Sequence, residues 1–302
     1  MTSHSNLRGI ACVVLAAGAF VANDSCMKLV MADAPPLQVL FMRGSAAVLL
    51  CIPLLLILGY RADIRHMFNG WVVLRGACEV FAVVSFVLAL VHMPIADITA
   101  IHQISPLLLV AATALIWGER IGPLRIMLIG VGIAGALLVA QPGGTAASPY
   151  AIFGFATALG SAARDVVSRK VPRHIPALVA AFAMLIIVML AAAIATSLFE
   201  TWVAPQPQHL ALMAAAGVFL IGGHLFIFLA FRYANAGTLA PFYYSFTIWA
   251  LLAGFVVFGN VPNEFALAGI MLILAAGLAV TLLDGMSRRV TATTAVNSGE
   301  AE

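Results

Sequence analysis

The sequence predicts an all-α integral membrane protein whose ten transmembrane helices form two inverted five-helix repeats. Its composition, the placement of its basic residues and an internal repeat predict this class. Of the 302 residues, 63% are hydrophobic and only 9% are charged, whereas a soluble domain carries about 25% charged residues. The mean hydropathy is +1.09. Such a chain cannot cover a water-facing surface, so its apolar runs, each near the ~20 residues that cross a bilayer, are predicted to span a membrane.

Proline, glycine and charged residues divide the apolar runs into ten predicted helices. These lie at 8–32, 36–59, 71–92, 95–117, 122–140, 149–171, 176–199, 208–232, 238–258 and 263–283. The predicted organisation is a cytoplasmic N-terminus (1–7), a first repeat (8–140), an external linker (141–148), a second repeat (149–283) and a cytoplasmic tail (284–302). The tail is predicted to be disordered because it is polar and lacks apolar periodicity.

The basic residues indicate how the helices are oriented. With the N-terminus in the cytoplasm, 12 of the 15 Lys and Arg residues fall in cytoplasmic segments and none falls in the opposite loops. The remaining three, Lys28, Arg43 and Arg164, fall within helices. Cytoplasmic loops of membrane proteins carry an excess of Lys and Arg. The bias therefore predicts an N-in, C-in topology.

The chain matches itself at an offset of 141 residues. Asp24 aligns with Asp165, and Lys28, four residues later, aligns with Arg169. The match is informative because charged residues are scarce in this chain. The same ungapped offset aligns further pairs, including Gly76 with Gly217 and Gly118 with Gly259. Because each half holds an odd number of helices, the second half crosses the membrane inverted, which is the architecture of secondary transporters.

Three stretches of the sequence resemble the drug/metabolite transporter superfamily, in its EamA type with two five-helix repeats. They are "ANDSCMKLV" in the first helix, "LVHMPIADITAIHQISPLLLVAATALIWGERI" around the fourth and "GIMLILAAGLAV" in the tenth. The resemblance covers residues 8–283. Gly118-Glu119 at the end of the fourth helix matches the family, whereas the second half departs from it with Gly259-Asn260.

Within that superfamily the chain is similar to bacterial amino-acid and metabolite exporters. The resemblance implies a multi-pass protein of the bacterial cytoplasmic (inner) membrane that works by alternating access. It also implies a midplane cavity built from the first, third, fourth, sixth, eighth and ninth helices.

Two acid–base pairs inside the helices are candidate site residues. Asp24 and Lys28 lie one helical turn apart in the first helix, and Asp165 and Arg169 repeat this spacing in the sixth. One interpretation is that each pair neutralises itself while Lys28 and Arg169 reach toward the membrane surface. The other is that both pairs flank the cavity. Either aspartate then binds a substrate ammonium or a proton, and Lys28 meets a carboxylate.

Glu79 in the third helix and Arg43 in the second have no charged counterpart in the other half, where Leu220 and Met184 take their places. An unpaired carboxyl inside a membrane helix is a candidate proton carrier. The alternative for Glu79 is an ion pair with Arg75, four residues earlier. For Arg43 we predict a structural salt bridge.

Polar side chains also align between the fourth and ninth helices, where His102 and Gln103 correspond to Tyr243 and Tyr244. Nearby prolines, Pro106 and Pro241, allow both helices to bend. His224 follows two glycines in the eighth helix, where another helix can approach closely. These polar residues either complete the packing or line the cavity. Aromatic residues around them either pack against lipid and protein or stack on a flat or cationic substrate.

The predicted cavity residues are therefore Asp24, Lys28, Glu79, His102, Gln103, Asp165, Arg169, His224, Tyr243 and Tyr244, with Asp24, Glu79 and Asp165 as candidates for proton coupling. The predicted function is secondary active transport of small metabolites, and the resemblance favours export of amino acids, including aromatic ones. The alternatives are import or exchange of a larger metabolite such as a nucleoside, a vitamin or S-adenosylmethionine, and an integral-membrane enzyme.

The sequence contains no catalytic motif, nucleotide-binding element or cluster of metal ligands that we recognise. We therefore predict a protein that is not an enzyme and has no cofactor and no metal site. A gradient of an ion or of the substrate must then drive transport. The expected partners are a small-molecule substrate, a coupling proton as a candidate, and the lipid bilayer. No nucleic acid is expected, and the sequence does not indicate an oligomeric state.

Overall fold

A computed structural model describes residues 3–118, 122–141, 148–172 and 174–299 of the chain. Within these ranges all regular secondary structure is helical. Also within them, nine segments are long and apolar enough to cross a membrane. The helix Ala151–Ser168 supplies a tenth, in the place predicted for the sixth helix. The prediction of an all-α membrane protein with ten transmembrane helices is therefore confirmed.

We number the membrane-crossing segments as spans one to ten. In the first repeat, spans one, two and three are Ser3–Val30, Pro36–Ile57 and Gly70–His92, span four consists of Ile95–His102 and Ser105–Trp117, and span five is Pro123–Ala140. In the second repeat, spans six, seven and eight are Ala151–Ser168, Ala177–Phe199 and Pro207–Tyr233, span nine consists of Ala236–Leu239, a 3-10 segment Ala240–Tyr244 and Ser245–Phe258, and span ten is Glu264–Gly299.

The segments at the chain ends and between the repeats were predicted from composition. Span ten continues past the predicted end at residue 283 to Gly299. The disorder predicted for 284–302 stays a prediction, as do the other domain boundaries. Residues 142–147 of the predicted external linker, and Glu119 at the end of span four, lie outside the described residues.

The two repeats interlock, and their packing follows the internal repeat. Span one packs along span eight, and span three packs along span six. In the internal repeat, span one corresponds to span six and span three corresponds to span eight. The two interfaces are therefore equivalent in the two repeats. The same correspondence relates the interface of spans two and eight to that of spans seven and three, while spans five and ten pair with each other. All these interfaces join one repeat to the other, which confirms the inverted-repeat architecture.

Matched glycines let helices of the two repeats approach closely. Gly76 of span three lies against Ile187 of span seven, and Gly217 of span eight lies against Ala46 of span two. The 141-residue offset converts each contact into the other. An added Cβ would lie 2.5 Å from Ile187 at the first glycine and 2.9 Å from Ala46 at the second. Small residues at such contacts are how membrane helices gain van der Waals packing.

Spans four and nine are each interrupted, span four by a turn between its two helices and span nine by the segment Ala240–Tyr244. Pro106 and Pro241 lie in the first turn of the helical segments that follow, where the missing proline N–H is tolerated. Both spans end at a glycine in the left-handed conformation, Gly118 and Gly259, with φ of 68° and 65°. The bends predicted from the two prolines are present at matched places in the two repeats.

Spans five and ten cross where Gly135 meets Gly269. We predict that Gly269→Ala lowers the free energy of unfolding by about 1–3 kcal/mol, because the added Cβ would lie 2.4 Å from the backbone oxygen of Gly135. Gly130→Ala in span five is the control, since nothing lies within 4 Å of a Cβ there. Unfolding of the purified variants in detergent measures the free energy of unfolding of each. Equal stability of the two variants would contradict this crossing.

The N-in, C-in orientation stays a prediction that thiol labelling can test. In a variant without native cysteines, single cysteines replace Arg61, between spans two and three, and Thr201, between spans seven and eight; both positions are exposed. We expect a membrane-impermeant thiol reagent added to intact cells to label position 201 and not position 61. The basic residues place position 61 in the cytoplasm. The reverse labelling would mean that the N-terminus is outside.

Candidate functional site

Six charged side chains from spans one, two, three and six meet inside the helical bundle, and we name them the central charge network. It comprises Asp24, Arg43, Arg75, Glu79, Arg164 and Asp165. Each member interacts electrostatically with at least one other. Three cations balance three anions. Because ionisable residues inside a membrane are costly and face the bundle interior or a wet cavity, this balance explains how the chain tolerates them.

Arg164 joins the two repeats at the centre of this network. Its Nη1 donates to Oε2 of Glu79 at 2.8 Å, and its Nε donates to Oδ1 of Asp165 at 2.8 Å. Glu79 is therefore not unpaired: Arg164 is its ion-pair partner, and Arg75 also interacts with it electrostatically. Arg164 was not among the residues predicted to line the cavity. The sequence feature that could have identified it is its position as one of three basic residues within predicted helices.

The acids that align between the repeats are each held by the residue before them. Asn23 Nδ2 donates to Oδ1 of Asp24 at 2.8 Å, as Arg164 Nε does to Asp165. The 141-residue offset aligns Asn23 with Arg164. Both repeats therefore have this hydrogen bond, but the donor is a neutral amide in the first repeat and a charged guanidinium in the second. Arg169, expected to pair with Asp165, lies at the exposed C-terminal end of span six.

Arg75 is fixed by the second repeat. Its Nε donates to Oγ of Ser168 at 2.8 Å, and its Nη1 contacts Sδ of Met184 at 3.4 Å. It also interacts electrostatically with Glu79 and Asp165. It therefore contributes charge to the network while spans six and seven engage two of its donors.

Lys28 lies apart from the central charge network. Its Nζ donates to the backbone oxygens of Leu90 and Met93 at the end of span three. Among the described residues its electrostatic partner is Asp97, whereas Asp24 interacts with Arg43. Of the two interpretations of this acid–base pair, the one in which Asp24 and Lys28 neutralise each other is therefore wrong. The reason is that the last carbonyls of a helix lack intrahelical partners and attract a cation.

Arg43 is buried in the network, with 7% of its surface exposed. Among the described residues its guanidinium has no hydrogen-bond partner and forms no ion pair, and its Nε is fully enclosed. Its electrostatic neighbours are Asp24 and Glu79. The structural salt bridge predicted for Arg43 is therefore wrong.

The two predicted histidines approach the network from spans four and eight. His102 Nε2 lies 2.9 Å from Oγ of Ser161. The ring of His224 meets Phe20 edge-on at 5.2 Å between centroids, and Phe20 stacks on Phe246 at 5.7 Å. Both histidines interact electrostatically with Glu79. Spans four and eight therefore join spans one, two, three and six around one charged interior, with an aromatic group beside it.

Of the two tyrosines that span nine was predicted to place in the cavity, only one lies beside the central charge network. Gln103 Nε2 donates to the backbone oxygen of Tyr243 at 3.1 Å, and Tyr243 interacts electrostatically with Asp165. Tyr244 is buried and its hydroxyl bonds to Thr281 of span ten. The structure therefore places Tyr243 beside the network and Tyr244 against span ten. The transport roles of the predicted residues stay predictions.

Two inverted repeats of five spans, with charges of both repeats meeting between them, form an architecture that secondary transporters share. The chain belongs to the EamA-like transporter family, which matches residues 7–141 and 148–282. The match covers both repeats and confirms the resemblance drawn from the sequence. The protein is thus a multi-pass protein of the bacterial inner membrane.

Relatives with assigned functions are transporters. The pseudopaline exporter of Pseudomonas aeruginosa is 26% identical over 277 residues, which is 90% of this chain and 95% of that protein. The riboflavin transporter of Brucella anthropi is 26% identical over 259 residues (84% and 91%). The S-adenosylmethionine uptake transporter of Rickettsia prowazekii is 22% identical over 276 residues (90% and 92%). A solved crystal structure with 22% identity superposes with a TM-score of 0.62, covering 96% of this chain and 99% of the other, and shows the same fold.

We predict that Arg164→Met lowers the free energy of unfolding by about 3–5 kcal/mol, because it leaves the buried carboxylate of Glu79 without its hydrogen-bonded cation. Adding Glu79→Met to that variant should restore part of the loss. Unfolding of the four proteins of this double-mutant cycle in detergent measures the coupling. Arg61→Met in the exposed loop is the control. Losses that simply add would show that the two side chains do not depend on each other.

Proposed function

We propose that this protein is a secondary active transporter that exports amino acids, including aromatic ones, by alternating access around the central charge network. The observation that carries the proposal is the ion pair of Arg164 with Glu79, which holds a buried charge of each repeat at the interface between them. A site shared by two inverted halves can change the side it faces when the halves rock against each other.

Side-chain exposure supports one entrance to this site. The exposed fraction falls from 38% at Asp165 to 24% at Arg164 and 12% at Glu79. Asp165 lies near the end of span six that faces the cytoplasm in the predicted topology. The decrease therefore describes a path from the cytoplasm toward the middle of the bundle.

Contacts between the repeats close the opposite end. The carboxylate of Glu200 accepts from the backbone N–H groups of Leu37 and Gln38 at 2.9 and 2.8 Å. His209 lies 3.3 Å from Asp33. Each contact links the second repeat to the first. We infer that this conformation faces the cytoplasm and that these contacts must separate when the site opens outward.

The chemistry of the interior favours a zwitterionic substrate. Carboxylates and guanidinium groups lie together, and the aromatic group of Phe20, His224 and Phe246 lies beside them. Amino acids carry both charges, and an aromatic side chain can stack on this group. Of the three candidates for proton coupling, Asp24 has a neutral hydrogen-bond partner, whereas Glu79 and Asp165 are held by Arg164. We therefore favour Asp24 as the proton carrier.

A second candidate function differs in the direction of transport and in the size of the substrate. The pseudopaline exporter supports export, whereas the S-adenosylmethionine uptake transporter supports import, and it and the riboflavin transporter support a larger metabolite. The same aromatic group would suit a flat ring system. Import or exchange of a vitamin, a nucleoside or S-adenosylmethionine is therefore the alternative. An integral-membrane enzyme is a further alternative, for which the relatives give no support.

The first test compares metabolites inside and outside cells that express wild type, Asp24→Asn, Asp165→Asn or an empty vector at matched membrane levels. We expect amino acids to accumulate outside cells with wild type and at least tenfold less with either variant. Asp63→Asn, in the loop between spans two and three, is the matched control and should behave as wild type. Accumulation inside the cells would favour the import alternative. Wild-type transport by both aspartate variants would show that these acids are structural.

A further inference from the structure

The buried guanidinium of Arg43 has a charge but no protein partner to receive its hydrogen bonds. Arg43 is 7% exposed, and its Nε is enclosed without an acceptor among the described residues. A guanidinium has five N–H donors in a rigid fork. Burying a charged group without hydrogen bonds is costly. A membrane protein tolerates such a group where another molecule completes it.

Arg43 lies among the charges around which transport is proposed. It lies about 10 Å along span two from the start of the helix, at about 1.5 Å per residue, and therefore within the membrane. Its electrostatic neighbours are Asp24 of span one and Glu79 of span three. Glu79 is already bonded to Arg164. The negative charge of Glu79 is therefore largely neutralised by Arg164. The N–H donors of the Arg43 guanidinium are left without an acceptor among the described residues.

A second unpartnered atom belongs to Asn23, the residue before Asp24. Asn23 is 2% exposed and donates from Nδ2 to Asp24, while its Oδ1 is buried without a donor among the described residues. The structure thus combines an unsatisfied donor on Arg43 with an unsatisfied acceptor on Asn23. Asp24 interacts with both of these residues.

We propose that Arg43 binds the carboxylate of the transported substrate and that Asn23 and Asp24 bind its ammonium group, an assignment that rests on the proposed transport of amino acids. The α-carbon of an amino acid carries both groups side by side. A guanidinium matches a carboxylate through two parallel N–H···O bonds. The ammonium donates to the carboxylate of Asp24 and to Oδ1 of Asn23.

The balance of charges favours a carboxylate over a phosphate. The network holds three arginines and three acids, so it is neutral when all are ionised. A zwitterion leaves this sum unchanged, whereas a phosphate dianion would add two uncompensated charges in a low-dielectric interior. The same oxyanion chemistry could recognise either group, so the experiment includes inorganic phosphate.

The test measures binding to purified wild type in detergent, as the concentration that gives half-maximal thermal stabilisation. The probes are L-tryptophan, tryptamine, which lacks the carboxylate, indole-3-propionate, which lacks the ammonium, and inorganic phosphate. L-phenylalanine with phenethylamine and 3-phenylpropionate forms a parallel set. We expect wild type to prefer each amino acid to its amine by about tenfold to a hundredfold, as for the loss of a charged hydrogen bond.

Variants assign the preference to particular groups. Arg43→Gln should abolish the preference of the amino acid over its amine, and Arg43→Lys should restore part of it. Asp24→Asn should instead abolish the preference of the amino acid over the deaminated acid. Arg61→Gln removes the same charge from the exposed loop between spans two and three, outside the central charge network. It should therefore keep the preference for the carboxylate. General loss of stability cannot change such a ratio selectively.

The outcomes separate this inference from the proposed function. If Arg43→Gln keeps the wild-type preference, or if wild type binds tryptamine as tightly as L-tryptophan, the assignment of Arg43 is wrong while amino-acid transport stands. If folded wild type binds only phosphate or none of the probes, both are overturned. If indole-3-propionate binds through Arg43 but no amino acid is exported by cells, Arg43 is the carboxylate site and the proposed substrate class is wrong.

Discussion

The ion pair between Arg164 and Glu79 is the contact on which the interior of this protein depends. It lies where the two repeats meet, and Arg164 also holds Asp165. Removing ionised groups from water is expensive, and the attraction between partners compensates only when their geometry is good. Spans three and six therefore cannot separate at this point without a substitute for the lost partner. A substrate or water that enters the network is such a substitute.

Packing around this network must be close without being rigid. Lipid tails provide little drive for helices to associate, so contact area between small residues replaces it. The matched contacts of Gly76 with Ile187 and of Gly217 with Ala46 show this on both sides of the network. Because the principal interfaces join one repeat to the other, any movement between repeats slides these surfaces. Small side chains present few obstacles to such a slide.

The sequence predicted the spans, their inversion and the bends of spans four and nine, because long apolar runs, scarce charges and two prolines leave few alternatives. It also identified most of the acids that lie in the interior. It did not predict their partners, because a partner on another helix depends on packing that periodicity does not describe. Helical spacing suggested that Lys28 pairs with Asp24, yet the free carbonyls at the end of span three bind it instead. Arg164 was missed because its repeat counterpart, Asn23, carries no charge.

The two repeats differ at one matched position, where the first repeat has Asn23 and the second has Arg164. This difference affects the relative energies of the transporter's two states. If the two halves were identical, a two-fold rotation would convert the outward-facing state into the inward-facing state, and the two states would have equal energy. Here one half supplies a cation where the other supplies an amide, so the contacts made in one state cannot be reproduced in the other. The two states of the empty carrier then differ in energy, and a difference of about 1.4 kcal/mol gives a tenfold bias toward one of them. Such a bias would make the apparent affinity for substrate different from the two sides of the membrane.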